Sequence, residues 1–207
     1  MDVVSIKPEQ ADAAANLLAR ALNRDASSAY HFPDESTRLR RLEWLHGWLL
    51  RLGIRSGAVY ATSPELAGVA IWMPPGSERV SLGEKIAAGL LGAPAAIGIG
   101  GTRRLLASRK ALERVRARSL PGKHWYLVLI GVDPQHQGRG VGSSLMRHVL
   151  DRADDDGLPC YLETANKASR KTFQQFGFEV IGEAVGPRGL PAWAMVRPPA
   201  VREPSAP

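Results

Sequence analysis

Gly131-Val132-Asp133-Pro134-Gln135-His136-Gln137-Gly138-Arg139-Gly140-Val141-Gly142-Ser143 is the stretch around which the chain is organised. It closes an apolar run of strand length, His124 to Val132, which Asp133-Pro134 breaks. Gly138, Gly140 and Gly142 then alternate with other residues as a helical pattern begins at Val141, Leu145, Met146 and Val149. The first N–H groups of a helix have no intrahelical partner. Glycine puts no Cβ in the way of an approaching anion, and the helix dipole favours negative charge there by about 0.3–1 kcal/mol. Such a turn suits a phosphate or pyrophosphate. The spacing is G-x-G-x-G rather than G-x-G-x-x-G, since position 143 is Ser, and it lies late in the chain, so the dinucleotide fingerprint fits poorly. The G-x-x-x-x-G-K-[ST] loop is absent. Taken alone, the turn is also compatible with a plain tight connection.

Working outward, Pro159 to Thr164 reads as a strand, Lys167 to Phe176 as a helix, and Phe178 to Val185 with Ala192 to Arg197 as an antiparallel pair. Upstream, Val3 to Ile6 reads as a strand, and Pro8 opens a helix with Glu9 and Asp12 in its first turn. Leu42, Leu45, Leu49 and Leu52 recur at helical spacing within a helix from about Asp34 to Leu52. Trp44 and Trp48 lie beside them, as core packing or as a substrate wall. Ala58 to Ala61 and Ala67 to Met73 read as strands. The Gly/Ala-rich segment Ile86 to Gly101 reads as two short packed helical pieces or an interfacial segment, followed by a charged helix from Thr102 to Ser119. This order implies a mixed α/β sheet flanked by helices. One domain over 1–197 is expected, with a helical insert at 74–123, a core at 124–197 and a disordered tail at 198–207.

The chain has 207 residues and 44% hydrophobic content, enough for a core without staples. Its one cysteine, Cys160, sits among apolar residues and reads as a buried small hydrophobe. The start, Met1-Asp2-Val3-Val4, has no basic-then-apolar leader pattern, and no segment has the length of a membrane span, so a cytoplasmic protein is expected. His31, His46, His124, His136 and His148 show no metal-ligand spacing, so no metal is expected. The formal charge of +7 is concentrated between Arg103 and Lys123. That run reads first as a solvated helix face and next as steering of an anionic ligand. A nucleic-acid partner is not expected, because no nucleic-acid motif accompanies the charge.

Gln137-x-x-Gly140-x-Gly142 after a strand, Tyr161-Leu162-Glu163-Thr164, Asn166-x-x-Ser169 and Phe173-x-x-x-Gly177-Phe178 together resemble the GNAT superfamily of N-acetyltransferases. The resemblance is clear over about 124–197. Within the superfamily the layout is similar to that of puromycin N-acetyltransferase relatives. It implies a mostly antiparallel sheet with one splayed parallel pair, and acetyl-CoA as co-substrate between Trp125–Val132 and Pro159–Thr164. It implies that Ile130, Gly131 and Val132 bond the pantetheine arm and that Gln137, Gly138, Arg139, Gly140, Val141, Gly142 and Ser143 hold the phosphates. Asn166 would orient the pantetheine arm or the thioester end, and Ser169 of the same motif is a further cofactor-binding residue. Asn166 also reads as a helix N-cap, and both roles can hold.

The implied acceptor is a small-molecule amine, with Glu163 as general base or amine anchor. The same residue also reads as an ordinary ion-paired carboxylate. A protein N-terminus or lysine is the alternative acceptor, and a homodimer is among the assemblies the resemblance allows. The family usually has Tyr where this chain has Phe173. Water, Tyr126, Tyr161 or Ser169 would then serve the departing thiolate, or it leaves unprotonated. A non-catalytic acyl-CoA sensor is the competing reading of the same departure. For the basic run, the expected outcome in an anisotropy titration is no duplex-DNA binding even at low salt. Tight binding that falls steeply with salt would restore the nucleic-acid reading.

Overall fold

The computed structural model describes residues 1–56, 58–77, 80–119, 122–185 and 189–200. Seven strands form one sheet in the order β1-β2-β3-β4-β5-β7-β6. They are β1 (Asp2–Ser5), β2 (Val59–Ser63), β3 (Gly68–Met73), β4 (Trp125–Val132), β5 (Cys160–Thr164), β6 (Glu179–Val185) and β7 (Pro191–Arg197). Every neighbouring pair is antiparallel except β4 and β5. The mixed sheet with one parallel central pair agrees with the expectation from sequence.

The helices are α1 (Ala11–Leu22), α2 (Ala26–His31), α3 (Glu35–Ser56), α4 (Leu82–Ala87), α5 (Ala93–Ser119), α6 (Val141–Asp155) and α7 (Lys167–Gln175). α6 lays Val141, Leu145, Met146, Val149 and Leu150 on one face of the sheet, against Trp72, Trp125, Leu127, Leu162 and Met195. α1 and α3 cover the other face, where Leu17, Leu18 and Leu50 meet Val59, Val69 and Ile71. Phe32, Leu42, Ala93 and Ile97 form a third cluster where α3 meets α5.

The sequence reading differs from the fold in two places. α2 was not anticipated. It is a single short turn started by Asp25, whose carboxylate accepts from the Ser27 N–H at 2.8 Å. The Gly/Ala-rich segment divides among α4, a 3-10 turn at Leu90–Gly92 and the start of α5. Within α5 only Gly98 leaves helical geometry (φ 75°, ψ 155°), a conformation that favours glycine. The tail expected to be disordered lies partly outside the described residues, at 201–207. Within them, the Ala200 N–H donates to Asp154 at 2.7 Å.

β4 carries the feature that places the site. Its pairing with β5 runs only through Trp125↔Cys160, Tyr126↔Tyr161 and Leu127↔Leu162. Its pairing with β3 skips from Trp72↔Leu127 to Ile71↔Leu129, so Val128 is an extra residue. A bulge of this kind bends and twists its strand. β4 therefore parts from β5 just beyond Leu127, while β3 still holds its other edge as far as Val132.

Two glycines let the layers meet around that bend. A Cβ on Gly68 of β3 would lie 2.6 Å from Val141 Cγ1 and 2.9 Å from Leu145 Cδ1. A Cβ on Gly131 would lie 2.8 Å from Leu18 Cδ2 on α1. Val141 is stiff and buried, so Gly68→Ala overpacks the β3–α6 contact, at a cost of about 1–3 kcal/mol. The expected outcome is a thermal midpoint lowered by roughly 2–12 °C, read by calorimetry.

Candidate active site

The opening between β4 and β5 leads into a cleft of ≈ 780 Å³. Ile130, Gly131, Val132, Gln137, Gly138, Gly140, Val141, Gly142, Ser143, Asn166 and Ser169 all line it. Arg139 is exposed on the loop and is not among the lining residues. Gly138 (φ 76°) and Gly140 (φ 81°) are left-handed, and a Cβ at either would meet open space. Both are therefore glycine for backbone conformation as well as for access. α6 makes its first intrahelical bond at Ser144 N–H to the Gly140 carbonyl, 3.0 Å. The N–H groups of Val141, Gly142 and Ser143 precede that bond, so they lack intrahelical acceptors at a positive helix end. This donor set suits a phosphate chain.

The loop is pinned in place. Asp133 accepts from Arg20 of α1 at 2.6 Å and from the Gln135 N–H at 3.0 Å, which holds its carboxyl below the usual range. Gln137 folds back to donate to the Val132 carbonyl at 3.3 Å. Arg24 also lines the cleft. Asn166 is a helix N-cap: its carboxamide oxygen accepts from the N–H groups of Ala168 and Ser169 at 2.8 and 3.3 Å. Its amide donates to Asp25 at 2.8 Å, so α7 is tied to the start of α2.

Glu163 lies on the other side of the opening. Tyr161 and Glu163 are two apart on β5 and share a face, and Tyr126 is the register partner of Tyr161 on β4. The Tyr161 hydroxyl donates to Glu163 Oε1 at 2.7 Å, and the Tyr126 hydroxyl donates to Oε2 at 3.1 Å. Burial pushes the Glu163 carboxyl up, while the two hydroxyls and the charges of Arg116 and Arg109 oppose the rise. Burial, with the Glu163 charge behind it, pushes both phenols well above their usual range. They therefore act as hydrogen-bond donors and not as acids.

Glu163 and Tyr126 line two further cavities, of ≈ 310 and ≈ 470 Å³. The smaller shares Leu22, Asp25, Ile130, Ser169 and Phe173 with the cleft. The larger is walled by Trp48, Leu49 and Leu52 of α3 and by Leu105, Ser108 and Leu112 of α5. The three spaces follow in series, with Glu163 at the junction of the last two. His31 lines both inner cavities. Its ring nitrogens meet Ser27 Oγ at 3.3 Å and Ser108 Oγ at 3.1 Å, and burial lowers its pKa to about 4, so the ring is neutral near pH 7. Phe173 is buried, edge-on to Phe178.

The expected cofactor residues thus line one cleft, except Arg139, and Glu163 lines the two adjoining cavities. The basic run is not uniformly solvated. Arg104 donates to the His31 carbonyl at 2.9 and 2.7 Å, and Arg116 lies over the Tyr126 ring, 5.3 Å from its centroid. Trp48 combines both roles weighed for it: it is buried, it lines the larger cavity, and its indole donates to the Lys85 carbonyl at 3.3 Å. Trp44 packs against the third cluster. Among the described residues no cluster of three metal-ligating side chains occurs, and no helix is long and apolar enough to cross a membrane. His31, Ser108, Arg109 and Arg116 are site residues that the sequence did not single out.

The sequence profile of the Acetyltransferase (GNAT) family matches residues 92–178. An uncharacterized N-acetyltransferase of Schizosaccharomyces pombe is 29% identical over 118 residues, 55% of this chain and 48% of that protein. A mycothiol acetyltransferase of Mycolicibacterium gilvum is 33% identical over 97 residues, 39% of this chain and 30% of that protein. The chain thus spans half or less of these curated relatives. A solved structure described as histone acetyltransferase HPA2 and related acetyltransferase, from Corynebacterium glutamicum, superposes with a TM-score of 0.66. The two are 20% identical, and the superposition covers 99% of this chain and 98% of that one, a likeness of fold.

The buried carboxylate has a consequence for stability. Its folded pKa lies above the ordinary 4.5, so its contribution is fully present below 4.5 and is lost as pH rises through the folded value. Glu163→Gln removes that loss. The expected outcome is a midpoint difference, variant minus wild type, that grows in favour of the variant from pH 4 to pH 8. A difference that shrinks over this range would contradict the raised carboxyl.

Proposed function

We propose that the chain is a member of the GNAT superfamily, whose profile matches residues 92–178, and that it transfers the acetyl group of acetyl-CoA to the primary amine of a small-molecule acceptor. The observation that carries this reading is the position of Glu163. A carboxylate gripped by two tyrosines stands where the smaller inner cavity, which adjoins the anion-ready cleft, meets a larger and mostly apolar one. In this reading residues 1–197 act as one acyltransferase unit. The insert at 74–123 contributes the acceptor wall, and 124–197 form the donor-binding core.

The residues present fit acetyl-CoA. The free N–H groups of Val141, Gly142 and Ser143, with Gln137, Gly138 and Gly140 around them, would hold its phosphates. Past Leu127 the β5-side edge of β4 has no strand partner, so those backbone groups of Ile130 to Val132 that face this edge, apart from the Val132 carbonyl that Gln137 already bonds, would be available to the pantetheine amides. Ser169 and Phe173 stand where the cleft meets the smaller inner cavity, and Asn166 fixes the start of the helix that carries them. Bound acetyl-CoA supplies the acetyl group as an activated thioester.

Glu163 accepts a proton from the acceptor ammonium and leaves a neutral amine to attack. Its raised pKa makes it a better base than an exposed carboxylate at neutral pH. Tyr126 and Tyr161 hold both carboxylate oxygens, so the group keeps one orientation. Phe173 offers no proton. A thiolate is a far better leaving group than an amide or alkoxide, so a donor at that position is not required. The larger inner cavity, walled by α3 and α5 and of ≈ 470 Å³, favours a compact acceptor over a protein segment.

Phe173 supports one competing reading, a sensor that binds acyl-CoA without turnover. The two readings part in one experiment. Acetyl-CoA at 100 times its dissociation constant adds about 2.7 kcal/mol and raises the thermal midpoint by roughly 5–10 °C, whereas ATP and NAD do not. An enzyme then releases CoA when amines are added. Glu163→Gln keeps the midpoint rise and loses about 10²–10⁴ in rate. The acid limb of kcat/KM lies above the ordinary carboxylate value of 4.5, and activity falls as pH drops through it. Cofactor binding without amine-dependent release would establish the sensor.

A further inference from the structure

The larger inner cavity is apolar along most of its wall, with Trp48, Leu49, Leu52, Ile71, Met73 and Val128 among its residues. Among the described residues its charges do not cancel evenly. Arg55, Lys85, Arg109 and Arg116 face Glu84, Glu113 and Glu163. Glu113 meets Arg109 at 3.1 Å. Glu84 accepts from the Ser81 N–H and hydroxyl at 2.8 and 2.6 Å, with Arg55 beside it. Among the described residues, no carboxylate lies within ion-pair distance of Arg116. Its guanidinium sits instead over the face of Tyr126, 5.3 Å from the ring centroid. The hydroxyl of the same ring donates to Glu163. One tyrosine thus separates an anion from a cation, and both line the same cavity.

We propose that the acceptor is an amine that also carries a carboxylate: an apolar, amino-acid-like molecule with its nitrogen at Glu163 and its acid at Arg116. The inference rests on the acetyltransferase reading above and names its substrate class. A planar guanidinium matches a carboxylate in two parallel hydrogen bonds. Partial burial reduces the solvent screening that would weaken such a pair at an open surface. The same cation works against competitors. A polyamine that places its second ammonium near Arg116 meets a like charge, and an amine without an acid brings the guanidinium no carboxylate partner. The apolar walls recognise the body of the molecule. Arg109, already engaged by Glu113, adds to the positive field without offering a free fork.

The test compares matched acceptors under saturating acetyl-CoA, read by CoA release. Phenylalanine is set against 2-phenylethylamine and tryptophan against tryptamine, with spermidine as the polycation. The expected result is kcat/KM about tenfold or more higher for each acid-bearing member, carried mainly by KM, and spermidine poorest of all. Arg116→Gln brings the ratio within each pair to about one, and Arg116→Lys keeps part of it. Both members of a pair meet the same Glu163, so the ratio is insensitive to any change that Arg116 makes in that carboxylate. Equal or better turnover of the amines that lack the acid would overturn the inference and leave the acetyltransferase reading intact. So would a ratio that survives Arg116→Gln. If no amine is turned over while acetyl-CoA still raises the midpoint, the acetyltransferase reading falls and this inference falls with it. If Arg116→Gln shows no acetyl-CoA midpoint rise, the wild-type ratios and Arg116→Lys decide.

Discussion

The divergence of β4 from β5 is the constraint on which the rest of the architecture depends. Three register pairs hold the two parallel strands together, and the extra residue Val128 then turns β4 away. The cost of such an opening is backbone. N–H and C=O groups on the β5 side of β4 are left without a strand partner, inside a cleft where an unmet polar group is expensive. Everything nearby keeps the opening from closing. β3 holds the far edge of β4 as far as Val132, Gly68 lets α6 press against β3, and Gly131 lets α1 press against β4. The Arg20–Asp133 pair ties the loop after β4 to α1. A gap lined with backbone groups is thus built into a rigid sheet and left for a ligand to fill.

The paired length of β4 and β5 matters as much as the open length. It is the pair Tyr126↔Tyr161 that brings two phenols to bear on Glu163. Burial makes the carboxylate costly to ionise, and the two hydroxyls and two arginines recover part of that cost. The balance leaves a base stronger than a surface glutamate yet fixed in direction. Glu163 sits one position beyond the last β4–β5 pair, Leu127↔Leu162, next to the opening.

The strands and long helices could be read because their apolar periods are regular, and the glycine turn because its spacing has a physical purpose. What could not be read depended on phase or register. α2 is too short to show a period, and its signal, Asp25 before Ser27, is shared with ordinary turns. Arg103 to Lys123 is so uniformly basic that nothing in it marks Arg104 and Arg116 as turning inward. Gly131 reads as backbone exposed to a ligand, and its absent side chain proves also to make room for Leu18. Glu163 was visible as a candidate, but its two hydroxyl partners come together only through the β4–β5 register. His31 and Ser108, 77 residues apart, meet only after α2 and α5 have packed.

Hydrogen exchange with and without acetyl-CoA, resolved to single amides, tests the central claim most directly. The account predicts that the cofactor slows exchange at the N–H groups of Val141, Gly142 and Ser143 and along the open edge of β4 from Leu129 to Val132. The already paired segment Trp125 to Leu127 should change little. Protection that appears elsewhere while these two stretches exchange as before would mean that the opening between β4 and β5 is not the acetyl-CoA site.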